Sequence, residues 1–191
     1  MKKTALILCF LILLSGCAGA PPLSDEEAAE VINALLPLSS EVNGILFGKG
    51  LPAVDEAYEE EHSGTAYFPV KEGTGYSSVA DIKRAAEKVY SKSYLESVYM
   101  SAFEGMNGGT SVIGSVSPRY TEIGGVLKVN VSAKSFDVRT YEKVTECRFS
   151  SSGQGYAVYS CKALGSDGKT YDLKIYLAGA AGEWRFDSPV Y

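Results

Sequence analysis

Four cysteines carry the most distinctive chemistry in this chain, and their surroundings sort them. Cys17 closes Leu14-Ser15-Gly16-Cys17, behind Lys2, Lys3 and an apolar run from Ala5 to Leu14. A basic start, about ten apolar residues and small residues before a cut are the parts of a secretory leader. A cysteine immediately after the cut makes it a lipoprotein leader. The run is too short to stay in a bilayer as a spanning helix. The expectation is cleavage before Cys17 and acylation of the new N-terminus, where two or more chains give stable anchoring. That places the chain outside the cytoplasm, lipid-anchored to the bacterial cell membrane. Cys9 leaves with the leader. Cys147 and Cys161 remain in the exported part, where an oxidising compartment favours one disulfide. They lie in two strand-like runs, Lys143–Phe149 and Tyr156–Ala163, and the centre of the link Ser150–Gly155 is equidistant from both. A hairpin would set them opposite each other. Two reduced, buried thiols are the alternative, because burial alone is common for cysteine.

The other reactive residue types lack the company that chemistry needs. His62 is the only histidine, and its ordinary pKa would suit a general base. It sits in an acidic stretch poor in apolar residues, where a solvated loop position is the simpler reading. No Gly-x-Ser-x-Gly elbow, phosphate loop, His-Glu-x-x-His or EF-hand spacing occurs. With one histidine and no second cysteine pair, no metal or other cofactor is expected. Asp167 and Asp172 lack the dense oxygen spacing of a calcium loop and read as turn and strand-surface residues. Glu59, Glu60 and Glu61 could meet a basic patch on a partner, although a charge run is usually a solvated segment. Tyrosine occurs thirteen times. Tyr141, Tyr156, Tyr159, Tyr171 and Tyr176 could form a binding face, with Tyr156, Tyr159 and Tyr176 as its centre. Cross-strand packing is the alternative use of the same residues. Trp184 reads as a core residue.

The elements that would position these groups follow from periodicity. Residues 1–16 are the leader, 17–23 a lipidated tether and 24–191 a single α+β domain. Loss of Lys2 and Lys3 with the leader takes the formal net charge from −5 to −7. An acidic domain argues against nucleic acid as a partner. Ser24 and Glu27 have capping-box spacing, and Ala28, Val31, Ile32, Leu35 and Leu36 form a helical stripe that Pro37 should break or kink. Residues 53–66 read as a mobile loop, and Tyr67–Val70 as an edge strand. Ser78 starts a second helix. Ser93, with Glu96, starts a third, followed by a Gly-rich loop over 105–114. Beyond residue 120 the period is two: a hairpin about Gly124-Gly125, the cysteine hairpin, a strand over Thr170–Leu177 after the Asp167-Gly168 turn, and a last strand with Trp184 and Phe186. Leu127, Val129 and Val131 should share one face. Helices first and strands afterwards predict N-terminal helices packed on a curved antiparallel sheet.

Four strings in this order resemble the IseA-type family of bacterial DL-endopeptidase inhibitors, within a broader NTF2-like or cystatin-like architecture. They are Tyr67-Phe68, Val89-Tyr90-Ser91-Lys92-Ser93, Tyr120-Thr121-Glu122-Ile123-Gly124-Gly125-Val126-Leu127 and Gly182-Glu183-Trp184-Arg185-Phe186-Asp187. The resemblance spans roughly residues 65–191. It implies a non-enzymatic module that sterically covers the cleft of an exported peptidoglycan hydrolase. The lipid anchor, the long first helix and the cysteine pair depart from that family's pattern. A small-molecule or glycan-binding lipoprotein, with its pocket between helices and sheet, is the alternative expectation. An NTF2-like enzyme comes third.

Overall fold

The computed structural model describes residues 21–54, 61–62, 65–105, 117–180 and 183–191. Helix α1 (Asp25–Leu46) begins as its capping box requires. The Ser24 hydroxyl accepts from the Glu27 amide at 3.2 Å, and the Glu27 carboxylate accepts from the Ser24 amide at 2.9 Å. Its buried stripe holds Ala28, Ile32, Leu35, Leu36, Val42, Ile45 and Leu46. The helix runs on through Pro37, against the expected break. Pro37 faces solvent, where water can serve the carbonyl that lost its helical partner, while apolar residues on both sides hold the stripe in the core.

Helix α2 (Val79–Glu87) is capped by Ser78, whose hydroxyl accepts from the Asp81 amide. Helix α3 (Lys92–Tyr99) starts two residues earlier than the sequence suggested. Its cap is Ser91, whose hydroxyl accepts from the Tyr94 amide. The Ser93 hydroxyl instead donates to Asp187 at 2.8 Å, so a tertiary partner took the residue that local spacing had assigned to the cap. A π-helical turn, Met100–Glu104, follows.

The fold is α+β, and the strands form two antiparallel four-stranded sheets where the sequence suggested one. The first contains β1 (Glu61–His62), β2 (Thr65–Pro69), β3 (Tyr120–Ile123) and β4 (Val126–Asn130), in the order β1-β2-β4-β3. Strand β1 pairs only with Thr65 and Ala66 of β2, so β4 is the one strand beside Tyr67–Pro69, which keeps the edge position expected of it apart from a single bridge from Ala53 to Val70. Gly124 and Gly125 make the β3–β4 turn with φ of +62° and +78°, which side-chain-bearing residues rarely adopt. Val131 falls beyond the end of β4 and is exposed, unlike Leu127 and Val129. The second sheet is a simple meander of β5 (Tyr141–Gly153), β6 (Tyr156–Gly165), β7 (Thr170–Ala180) and β8 (Glu183–Phe186). No strand lies between β4 and β5, and there the Phe136 amide donates to the Phe47 carbonyl just past α1. That departure from strand pairing separates the sheets.

Each edge strand of the second sheet is partly covered. Along β5, the Asp25 carboxylate accepts from the Phe149 amide at 2.6 Å. The Asn33 side chain accepts from the Val144 amide at 2.6 Å and donates to the Val144 carbonyl at 3.2 Å. A helix thus uses two side chains to occupy an edge that would otherwise invite another strand. Along β8, the segment Val89-Tyr90-Ser91 pairs in parallel: the Phe186 amide donates to the Val89 carbonyl, and the Ser91 amide to the Phe186 carbonyl. One buried cluster joins α1, α2, α3 and both sheets, from Ile32 and Leu36 to Ile82, Tyr120, Ile175, Leu177 and Phe186. Among the described residues, no helix is long and apolar enough to cross a membrane.

Candidate functional site

Strand alternation gives the second sheet two chemically different faces. On β6, Ala157, Tyr159, Cys161 and Ala163 point at the core, and on β7, Ile175 and Leu177 do the same. Tyr156, Ser160 and Lys162 of β6 and Asp172 and Lys174 of β7 point the other way.

The outward residues form rows through strand register. Gly153, Tyr156 and Ala178 make the first, continued by Arg185 of β8. Ser151, Val158 and Tyr176 make the second. The third is Arg148, Ser160 and Lys174, and the fourth Glu146, Lys162 and Asp172. At one end the Tyr156 and Tyr176 rings stand 6.1 Å apart. Val158 is only 2% exposed yet lies outside the core cluster, as expected for a residue shielded by its tyrosine neighbours on the outer face. Tyr156 is 39% exposed, and a Cβ at Gly153 would collide with its ring. At the other end an open trough of about 540 Å³ lies along the third and fourth rows.

This arrangement corrects part of the tyrosine reading. Tyr159 is 0% exposed: its ring meets Phe149 edge-on at 5.9 Å, and its hydroxyl donates to the Leu23 carbonyl at 2.9 Å. Ala157, Tyr159, Cys161 and Ala163 all lie in the core, so Tyr159 cannot touch a partner. Tyr141 is buried too, with Tyr171 edge-on beside it at 5.9 Å. Of the five tyrosines considered, only Tyr156 and Tyr176 share the outer face. Sequence reasoning missed Arg148, Ser160, Lys162 and Lys174. Their signal was available as the polar half of the alternation, but a β-bulge between Phe149 and Ser151 shifts which residues of β5 belong to it.

Cys147 and Cys161 are direct cross-strand partners, as the hairpin geometry required. The link is shorter than expected, because β5 continues to Gly153 and turns through Gln154-Gly155 alone. The two sulfurs are 2.9 Å apart and not bonded to each other. Burial pushes both thiol pKa values up, and at Cys161 the neighbouring Cys147 adds to the shift. Thiolate is therefore scarce at neutral pH, so neither sulfur is primed as a nucleophile.

Other sequence-level sites resolve into structural roles. The Asp167 carboxylate accepts from the Tyr171 hydroxyl at 2.6 Å and from the Lys169 amide at 3.1 Å, and these bonds hold its pKa below the usual range. Asp172 is exposed and 3.8 Å from Lys162. Trp184 is buried. Among the described residues, no group of three or more acidic, histidine or cysteine side chains is gathered as metal ligands would be. The Glu61 and His62 backbones pair with Ala66 and Thr65, where a loop had been expected. The Glu61 and His62 side chains, all of Glu59 and Glu60, Cys17 and all but Gly105 of the stretch 105–114 expected to be a Gly-rich loop lie outside the described residues. Between α1 and the second sheet, buried side chains such as Ile32, Leu36, Val144, Ala157 and Ile175 belong to one core cluster.

No protein-family model matches the chain, and no curated protein matches it. The four strings that resemble the IseA-type family serve as pairing and packing segments. Val89–Ser91 pairs with Phe186, the hydroxyls of Ser91 and Ser93 both reach Asp187, and Tyr67-Phe68 pairs with Asn130 and Val129 of β4. Such positions bear on how the chain folds.

Proposed function

We propose that this chain is a lipid-anchored extracytoplasmic interaction module that sterically modulates an exported peptidoglycan endopeptidase and performs no chemistry itself. The observation that carries the reading is the Tyr156–Tyr176 pair, displayed on the sheet face opposite the helix-covered one. Tyrosines offer large, rigid, amphipathic contact area and are enriched where proteins dock. A sheet whose edge strands β5 and β8 are partly engaged by α1 and by Val89–Ser91 presents such a patch with less risk of strand exchange. The resemblance over residues 65–191 supplies the class of partner.

Acylated Cys17 supplies the location. Leu23 packs against the core and its carbonyl is held by Tyr159, so only five residues separate the anchor from the folded part. At about 3.5 Å per residue that tether reaches roughly 20 Å, which keeps the Asp25 end of the molecule near the membrane. Cys17→Ser is expected to shift the protein from the membrane fraction to the soluble fraction, or to leave the leader uncut. Membrane retention with unchanged processed mass would contradict the anchor. Co-purification of the wild-type chain with a native endopeptidase, lost on Tyr156→Ala with Tyr176→Ala, tests the docking reading. Capture that survives the double change would remove this face from it.

A further inference from the structure

The trough beside the tyrosine pair has a chemistry of its own. Arg148, Ser160 and Lys174 are register partners on three adjacent strands, so two cations flank one short hydroxyl side chain. Strands lie about 4.8 Å apart, which puts the two cationic side chains on either side of a notch roughly 10 Å wide at the backbone. Among the described residues, no carboxylate stands within ion-pair distance of Arg148 or Lys174. The neighbouring row reverses the pattern, with Lys162 between the carboxylates of Glu146 and Asp172. Beyond the notch, on the other side, Tyr176 offers its ring, with the Lys174 ammonium 5.7 Å from the centroid. The whole chain carries net charge −5, so this uncompensated cation pair goes against the overall field.

We propose that this trough binds an anionic sugar chain, a carbohydrate bearing a carboxylate or phosphate group. The anion would sit between Arg148 and Lys174 and accept from the Ser160 hydroxyl. Sugar hydroxyls would donate to Glu146 and Asp172, and an apolar ring face would rest on Tyr176. The volume of about 540 Å³ lies within the range of small-ligand sites. An acidic peptide fits less well. It brings no hydroxyl donors to Glu146 and Asp172 and sets its own carboxylates against theirs. A flat anionic bilayer offers the charge but no sugar ring to rest on Tyr176, and competition by phosphatidylglycerol separates the two. The proposal stands apart from endopeptidase docking, since the trough needs no second protein.

The test uses the full chain as isolated from cells, in neutral detergent, titrated calorimetrically with defined probes. Tetragalacturonate and a glycerol phosphate oligomer are expected to bind, and more weakly as salt rises. Neutral cellotetraose and tetraglutamate are not. Arg148→Ser with Lys174→Ser should weaken both anionic sugars by about tenfold or more, as expected for loss of charge-assisted hydrogen bonds. Circular dichroism should be unchanged, because both residues are exposed. Phosphatidylglycerol added to the micelles should not compete. Any one of five results overturns the proposal: no binding of either anionic probe, equal binding of cellotetraose, equal binding of tetraglutamate, competition by phosphatidylglycerol, or unchanged affinity in the folded double variant. An intact endopeptidase interaction alongside any of these would leave the docking reading standing by itself.

Discussion

Asn43→Ala is expected to destabilise the fold by about 3 kcal/mol or more, because it orphans two buried groups at once. Asn43 is 0% exposed. Its amide donates to the Val190 carbonyl at 2.9 Å, and its side-chain oxygen accepts from the Tyr90 hydroxyl at 2.6 Å. One side chain on α1 thus ties down both the C-terminal segment and the residue that bridges to β8. Each unpaired buried group costs about 1–3 kcal/mol, and the vacated volume adds to that. Urea unfolding should show a lower midpoint with little change in slope. Tyr90→Phe should cost less, because it removes a donor and leaves the Asn43–Val190 bond in place. The pair of changes should fall short of additivity, since both remove the same hydrogen bond. A loss below about 0.5 kcal/mol for Asn43→Ala would show that the network does not hold the C-terminus.

The second large effect is redox-dependent stability. Cys147 and Cys161 already touch across the β5–β6 ladder. In an oxidising compartment they are expected to form a disulfide, giving up two protons and two electrons to an external thiol oxidant. The bond would close a loop of order 15 residues and stabilise the fold by about 3 kcal/mol at best. Protein isolated without reductant should be lighter by two hydrogens and resist alkylation at both sites. Two alkylatable thiols in that sample would refute the bond.

The reduced form makes a further, pH-dependent distinction. Both thiol pKa values are raised by burial above the ordinary value of 9.0. The neutral thiol is therefore the form the fold favours. Its stabilising contribution is complete below about pH 9 and is lost as pH rises, because the unfolded chain ionises first. The stability gap between oxidised and reduced protein should widen above pH 9. The buried tyrosines titrate in both forms and cancel in that difference.

Much of the local structure was legible because it rests on short-range rules. Ser24 with Glu27, Ser78 before α2, Gly124-Gly125 and the alternating Tyr171, Leu173, Ile175 and Leu177 each specify their element within a few residues. Misreadings came where distant contacts overrode such rules. Pro37 did not end α1, because the core on both sides holds the stripe together. Ser93 lost the cap to Ser91 because Asp187, far along the chain, engages it. The serine-rich link after Phe149 looked like a loop, yet it continues as strand to Gly153. The split into two sheets depends on how residues 131–140 turn toward α1, which no local pattern encodes.

The candidate site was half legible for the same reason. Tyr156 and Tyr176 could be singled out by type, and Cys147 with Cys161 by symmetry about the turn. Which tyrosines face outward depends on where α1 lies, and Tyr159 was lost to the core on that account. Arg148, Ser160 and Lys174 become neighbours only through register across three strands.

The central claim is that this module docks through its tyrosine-bearing sheet face and blocks an exported endopeptidase. The direct measurement is the rate of peptidoglycan-peptide cleavage by that enzyme as the full chain is titrated in. Cleavage should fall to a plateau, and Tyr156→Ala with Tyr176→Ala should raise the concentration required by about thirtyfold, the scale of a hot-spot loss. Replacing Glu59, Glu60 and Glu61 by alanine tests the acidic segment as the alternative docking surface in the same assay. Unchanged cleavage at saturating wild-type protein would contradict the account, as would a shift produced by the glutamate changes and not by the tyrosine ones.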